Sequence, residues 1–335
     1  ELGDLAMKKD RKIGIGVMFI VLFFAFQGKA QDPEFTQFYT SPMYLNPAFA
    51  GSSKCPRLVM NYRNQWPNLS GAFITSAVSY DQHVDAARGG IGLLVMNDRA
   101  AQSTLTSNTI SGVYSYTQPM GKKFTMKAAL QVTYFQKSLD WSKLTFGDMI
   151  DPRKGFIYET ADIPRGGKAT GIDFSTGLVG YTDKLYFGVA VHHLTEPNES
   201  LVVGTSRLPM KYTGHIGAML PFKRSFKGET SWISPNIMYR RQGEFQQLNF
   251  GTYVNKGPIV AGVWFRGFMF GNNYRDSFIC TLGIKTEHFN FGYSYDITIS
   301  ELTPSTGGSH ELSVSVNFPC VRRKVKFRSV ACPSF

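Results

Sequence analysis

The residue types that most often do chemistry in proteins are present in this chain, but their spacing fits no catalytic motif. The sequence holds no G-x-S-x-G, H-E-x-x-H or C-x-x-C pattern. Residues 166–170 (GGKAT) place a lysine after two glycines but lack the spacing of a phosphate-binding loop. We therefore expect a loop at this point, no cofactor, and a protein that is not an enzyme.

The histidines and aspartates also give no metal site. His192 and His193 are adjacent on a predicted strand, so their side chains point to opposite faces and cannot bind one metal ion together. Four aspartates assigned to turns and loops are expected to be solvated: Asp81, Asp85, Asp148 and Asp151.

The first thirty residues have the pattern of a secretory signal peptide. Residues 7–12 are basic, residues 13–26 carry no charge, and Gly28 and Ala30 are small residues placed for a cut before Gln31. The apolar run is shorter than the roughly 20 residues of a spanning helix, although a membrane anchor is the alternative. We expect residues 1–30 to be removed, and residues 1–6, before Met7, not to belong to the natural protein.

Composition favours an exported membrane β-barrel over a soluble enzyme. Mean hydropathy is −0.15, 14% of the residues are aromatic and 33 are glycine. A barrel alternates lipid-facing and lumen-facing residues, so its mean hydropathy stays near zero; a secreted β-sandwich is the alternative. The net charge of +12 indicates anionic lipid headgroups or an acidic protein partner, because export argues against nucleic acid.

Alternation with a period of two marks the strands. In residues 289–296 every odd position is aromatic and every even one is small or polar. Successive side chains of a strand point to opposite faces, so one face of this strand is apolar and the other is polar. The polar faces carry charges such as Lys127 and Asp296, which a soluble core would rarely accept. We predict an all-β fold, a transmembrane antiparallel up-and-down β-barrel of about 14 strands over residues 57–318. The expected spans are 57–65, 71–82, 89–98, 105–118, 124–139, 171–182, 185–194, 210–221, 230–242, 245–255, 259–266, 275–286, 289–297 and 310–318.

The connections between these spans alternate in length. Every second one is short, while residues 140–170, 195–209 and 298–309 form long loops. Bacterial barrels have short periplasmic turns and long outer loops. The alternation therefore predicts a Gram-negative outer-membrane protein with periplasmic N- and C-termini.

Residues 31–56 precede the first strand and are predicted to form an N-terminal plug. Pro33, Pro42 and Pro47 discourage regular strand pairing, while the aromatic side chains need burial. We expect this segment inside the barrel or across its periplasmic mouth. The candidate plug residues are Phe35, Phe38, Tyr39, Tyr44, Asn46, Pro47 and Phe49.

The four cysteines are too few for a disulfide scaffold and are not spaced as a zinc site. Cys55 lies just before the first predicted strand, Cys320 and Cys332 lie just after the last, and Cys280 lies mid-strand. The first and last strands of a closed barrel are neighbours, so a Cys55 bond to Cys320 or Cys332 is predicted. Unpaired thiols are the alternative.

Basic residues concentrate in the inferred periplasmic turns and in a C-terminal tail, residues 319–335. Attraction to lipid headgroups, worth about 1 kcal/mol per basic residue, is one interpretation, and docking of an acidic periplasmic partner is the other. The turns carry Lys122, Lys123, Lys184, Lys223, Arg224, Lys227, Lys256 and Lys285, and the tail carries Arg322, Arg323, Lys324, Lys326 and Arg328.

Several stretches resemble a known family. They are residues 31–39 (QDPEFTQFY), 42–51 (PMYLNPAFAG), 62–67 (YRNQWP), 79–81 (SYD), 89–92 (GGIG), 304–312 (PSTGGSHEL) and 332–335 (CPSF). Together they resemble the PorP/SprF family of outer-membrane proteins from the type IX secretion system of Bacteroidota. The resemblance implies export and display of large surface proteins, such as gliding adhesins. The implied partners are outer-membrane lipids, a secreted surface protein with a C-terminal sorting domain and a periplasmic lipoprotein of the secretion machine. It implies no catalytic residues.

A second function stays open. Residues 46–48 (NPA) are similar to the N-terminal hatch motif of fatty-acid transporters, so the alternative is a barrel that passes a small hydrophobic solute. A lateral opening and an apolar lumen pocket would favour transport. A wide polar outer mouth that holds a folded partner domain would favour protein interaction.

Overall fold

The computed structural model describes residues 31–53, 55–151, 153–161, 166–202, 204–224, 230–267, 277–299 and 306–319, without side chains at 223, 224 and 230. The chain divides into two units, residues 1–32 and residues 33–335. The predicted signal peptide and residues 320–335 of the predicted tail lie outside the described residues.

Strands account for most of the described chain. They are β1 (Arg57–Gln65), β2 (Phe73–Val84), β3 (Gly89–Ala100), β4 (Leu105–Met120), β5 (Phe124–Leu139), β6 (Ile150–Asp151), β7 (Gly155–Phe156), β8 (Lys168–Tyr181), β9 (Leu185–His192), β10 (Lys211–Ala218), β11 (Leu220–Arg224), β12 (Thr230–Gln242), β13 (Phe245–Lys256), β14 (Ile259–Gly267), β15 (Ser277–Lys285), β16 (Phe289–Thr298) and β17 (Ser309–Asn317).

These strands close into one barrel wall. Each wall strand pairs antiparallel with its neighbours, β1 pairs with β17, and β10 pairs with both β9 and β12. β6 and β7 form a separate two-stranded sheet, and β10 and β11 share the partner β12. The wall therefore has 14 strands, each coinciding with one predicted span, and the predicted barrel is confirmed.

A proline explains why one wall strand is divided into β10 and β11. The register passes from Gly217 opposite Asn236 to Leu220 opposite Ile233, which leaves Pro235 of β12 facing the interruption. Proline has no N–H to donate, so regular ladder bonding is lost at this point.

The two faces of the wall have opposite character. In β5, Lys127 and Ala129 face inward and are 0% and 4% exposed, whereas Leu130 and Val132 face outward and are 66% and 47% exposed. Apolar side chains on the outside and polar ones inside are the reverse of a soluble protein. This is the pattern of a barrel whose outer face contacts lipid.

The connections define two ends of the barrel. Short turns at 121–123, 182–184, 257–258 and 286–288 form the turn end, and the opposite end, where the chain leaves β5, β9 and β16 for its long connections, is called the loop end. β1 starts and β17 finishes at the turn end. Which end faces the periplasm stays a prediction.

Helical structure is sparse in the part of the chain that the structure describes. Ahead of β1, residues 33–53, here called the N-terminal segment, contain one helical turn, α1 (Pro42–Leu45), and a 3-10 turn (Pro47–Phe49). Further 3-10 turns are Asp85–Ala87, Trp141–Lys143 and Gly147–Met149. Among the described residues, no helix has the length and apolar character needed to cross a membrane.

Candidate functional site

The N-terminal segment lies inside the barrel, where its aromatic side chains are buried. Phe35, Phe38, Tyr39 and Phe49 are at most 3% exposed, and Tyr44 is half-buried. The ring of Phe38 packs 5.1 Å from that of Trp264 on β14, and Tyr39 packs 5.7 Å from Tyr186 on β9. Apolar wall residues therefore cluster where the segment supplies apolar partners. Whether the segment blocks passage, as the word plug implies, stays a prediction.

Near the loop end the segment is held by charged wall residues. The Glu311 carboxylate accepts hydrogen bonds from the Thr36 backbone N–H and hydroxyl, both at 2.6 Å, and from the Gln37 N–H at 3.1 Å. Arg240 Nη1 donates to Glu34 Oε1 at 2.6 Å. Since Arg240 and Glu311 lie close to the loop-end termini of β12 and β17, Glu34 to Gln37 lie at the loop end.

An ion-pair network supports this contact. Arg63 on β1 bridges Glu311 at 3.4 Å and Asp296 at 3.3 Å, and Arg266 on β14 lies 3.0 Å from Asp296. These four side chains are between 0% and 7% exposed. Two cations thus balance two carboxylates, as burial of charge requires.

Midway along the lumen, Asn46 fixes the segment to the wall. Its Nδ2 donates to the carbonyls of Leu178 on β8 and Val189 on β9, both at 3.1 Å, while its Oδ1 accepts from the Ala48 N–H. Asn46 can approach the wall this closely only because residue 177 is a glycine. A Cβ at Gly177 would lie 2.1 Å from Asn46 Oδ1.

Gly177→Val is therefore expected to unseat Asn46. The extra methyl groups overlap the side chain, and overpacking of this kind destabilises by about 1–3 kcal/mol. We expect faster proteolysis of the N-terminal segment in the purified protein, followed by mass spectrometry. The matched control is Gly112→Val on β4, where a Cβ meets nothing within 4 Å. Equal proteolysis of the two variants would contradict the assignment.

At the turn end the segment is held by a second charged group. The Ala50 carbonyl accepts from Lys127 Nζ at 2.6 Å and Ser115 Oγ at 2.7 Å, and the Gly51 N–H donates to Asp81 at 2.9 Å. Asp81 also pairs with Arg57 at 3.0 Å. The expectation of a solvated Asp81 is wrong: it is 1% exposed, because its strand position faces inward opposite Arg57.

The other residues considered for chemistry lie at strand ends, in turns and in loops. The prediction that His193 shares a strand with His192 is wrong, because β9 ends at His192 and His193 adopts φ 61° and lies 2.7 Å from Asp173. β8 begins at Lys168, so residues 168–170 are strand and not loop. Hydrogen bonds from the Ala161 N–H and Thr160 hydroxyl lower the pKa of Asp148. Among the described residues no group of three side chains could hold a metal ion.

The cysteines and basic turns are described only in part. Cys55 is disulfide-bonded and Cys280 is a free, exposed thiol; Cys320 and Cys332 lie outside the described residues, so the predicted pairing stays a prediction. Lys122 and Lys123 are exposed at the turn end. The side chains of Lys223 and Arg224 are not described, and the other members of the predicted basic surface lie outside the described residues: Lys227, Arg322, Arg323, Lys324, Lys326 and Arg328.

One apolar concavity lies in the wall. It has a volume of about 690 Å³ and extends over β9 to β15 beside Pro235. Its rim consists of outward-facing side chains that are 39% to 54% exposed: Ile216, Ile237, Phe250, Val263 and Phe278. The concavity therefore opens on the lipid-facing side.

Solved structures include similar barrels. The Ralstonia pickettii toluene transporter TbuX is 11% identical, with 83% of this chain and 93% of that chain covered and a TM-score of 0.49. A Pseudomonas aeruginosa FadL homologue is 12% identical over 81% and 94%, with a TM-score of 0.43, and the KdgM porin is 10% identical over 78% and 99%, with a TM-score of 0.38. Likenesses of this size carry no inference about function. No curated protein sequence shows a significant match.

A family model described as "Type IX secretion system membrane protein PorP/SprF" matches residues 27–316. The match includes the N-terminal segment and every wall strand apart from the last residue of β17. The resemblance noted in the sequence is thereby confirmed. The chain belongs to the PorP/SprF family of type IX secretion system membrane proteins.

Proposed function

We propose that this protein is a non-enzymatic outer-membrane component of type IX secretion that receives, exports or anchors large cell-surface proteins by protein–protein contact. Family membership supports the secretion role. Action by protein–protein contact is supported by the N-terminal segment, which occupies the lumen. Its hydrogen bonds hold it to the wall near the loop end, midway along the barrel and at the turn end. An occupied lumen favours docking at the ends of the barrel over conduction through it.

The loop end offers a surface for a secreted partner. The β6–β7 hairpin carries Phe156, Ile157 and Tyr158, which are 59%, 51% and 52% exposed. These side chains are consecutive in a long connection beyond the wall strands, and exposed apolar side chains at such a position favour a contact surface. In the proposed orientation this surface faces outward, where a surface protein with a C-terminal sorting domain would be held.

The experiment that tests this role is affinity purification from native outer membranes, combined with deletion of the gene. We expect a secreted surface protein and a periplasmic lipoprotein to co-purify, and the surface protein to be missing from the cell surface of the deletion strain. Normal display of surface proteins in that strain would refute the proposal.

The turn end is proposed to dock an acidic periplasmic lipoprotein through its basic residues. Lys122, Lys123, Lys184 and Lys256 are exposed there, and the basic tail follows β17. Charge-driven docking weakens as salt shortens the screening length from about 10 Å at 0.1 M to about 3 Å at 1 M. Lipid headgroups are the competing partner for the same charges.

Replacing the five basic residues of the tail by Gln is expected to abolish lipoprotein co-purification and cargo export while the barrel still inserts. The five positions are Arg322, Arg323, Lys324, Lys326 and Arg328. The control replaces exposed basic residues near the loop-end termini of β3 and β12, Arg99 and Arg241. Normal co-purification and export in the tail variant would leave only the lipid interpretation.

The second candidate function is passage of a small hydrophobic solute. The lipid-facing concavity beside Pro235 favours it, because an apolar chain could lodge there. Uptake of a labelled fatty acid by cells that have or lack the gene distinguishes the two functions. Loss of uptake with normal surface display would support transport.

A further inference from the structure

Four inward-facing polar side chains form a compact group near the loop end, here called the arginine–amide site. Arg240 on β12 lies opposite Gln247 on β13, and Asn249 on β13 lies opposite Arg266 on β14. They are 5%, 1%, 0% and 6% exposed, respectively. Two guanidinium groups and two amides are thus held on three adjacent strands of a rigid wall.

The present occupant of this site is a carboxylate of the same chain. Arg240 Nη1 lies 2.6 Å from Glu34 Oε1, and Arg266 and Gln247 stand beside the same carboxylate. A guanidinium is the side chain best suited to bind a carboxylate. The Glu34 side chain is 21% exposed and that of Arg240 is 6% exposed, so the carboxylate keeps some contact with solvent while the arginine keeps little.

The site presents more hydrogen-bonding groups than Glu34 uses. Arg240 Nε, Gln247 Oε1 and both amide atoms of Asn249 are buried without a hydrogen-bond partner in the described part of the chain. Buried polar groups are almost always paired. An amide that offers one donor and one acceptor side by side matches a peptide unit, which offers the same two groups.

We propose that the arginine–amide site binds an acidic side chain, with its adjoining peptide unit, from a partner polypeptide that enters at the loop end and displaces Glu34. The carboxylate would take the place of Glu34 on Arg240, and the peptide unit would pair with Asn249. This site goes beyond the proposed function because it lies inside the lumen and can be tested on purified protein without secretion.

The test uses full-length protein in detergent and a fluorescent tetrapeptide, Asp-Pro-Glu-Phe, that copies residues 32–35. In the Glu34→Gln protein the resident carboxylate is gone, so we expect the peptide to bind at least about tenfold more tightly than to the unmodified protein. Adding Arg240→Gln to that variant is expected to weaken binding at least about tenfold. Fluorescence polarisation reads out both changes.

Three controls keep the result specific. Arg241, the exposed neighbour of Arg240 on the same strand, is replaced by Gln and is expected to leave binding unchanged. A peptide with Gln in place of Glu is expected not to bind. Asn249→Leu is expected to weaken binding while the gel mobility of the unheated folded barrel is unchanged. Failure of Glu34→Gln to improve binding, or equal binding by the Arg240 and Arg241 variants, would overturn the proposal.

Discussion

Deletion of residues 33–50 is expected to turn the protein into an open channel. Eight-stranded barrels are filled by their own side chains, whereas barrels of about 16–18 strands enclose an aqueous channel. The 14-strand wall lies between these sizes, and its apolar interior residues such as Trp264 and Tyr186 pack against the segment. Removing it leaves a lumen lined mainly by polar and charged side chains, which water can enter.

The deletion is measured by single-channel conductance in planar bilayers and by sensitivity of cells to large antibiotics. We expect discrete conductance steps and increased sensitivity, with none in the unmodified protein. The control is Gly112→Val, a substitution on the lipid-facing side that leaves the N-terminal segment in place. Wild-type conductance from a deletion variant that still migrates as a folded barrel would show that other elements close the lumen.

Arg63→Leu is expected to have the largest effect on stability of any single substitution at this site. Arg63 contacts both Glu311 and Asp296, and all three are nearly fully buried. Removing one partner of a buried ion pair destabilises by about 3–5 kcal/mol, because the remaining charge stays buried without compensation. We expect the barrel to unfold at markedly lower urea concentration or to fail in assembly.

A double-mutant cycle separates charge from packing. Arg63→Leu combined with Glu311→Leu removes both charges, so it should destabilise less than the two single changes added together. Arg63→Lys keeps the charge but loses the planar two-sided contact, and an intermediate effect is expected. Additive effects across the cycle would contradict a direct Arg63–Glu311 coupling.

The strands could be predicted because lipid and lumen impose opposite demands on alternate residues. Lys127 and Asp296 belong to the polar faces of strands whose other faces are apolar. Both side chains lie in the lumen and are 0% and 3% exposed, respectively. The same rule, applied to Arg63, Arg240 and Glu311, would have identified them as lumen residues. Sequence-based interpretation missed these three, and it misplaced Asp81.

The pairing of the charges could not be predicted from local pattern. Arg63 and Glu311 are 248 residues apart, and they meet only because β1 closes the wall against β17 in one register. The contacts of Asn46 depend likewise on glycine at position 177 and on carbonyls of two strands. The prolines and aromatic residues of the N-terminal segment indicated that the barrel encloses it. They did not indicate which wall residues bind it.

The path of the N-terminal segment gives the molecule a continuous link between its two faces. An even number of wall strands returns the chain to the end from which it started, and the segment adds one further crossing, from Glu34 at the loop end to Gly51 at the turn end. One short stretch of main chain therefore joins the Glu34 contact near one mouth to the Asp81 and Lys127 contacts near the other.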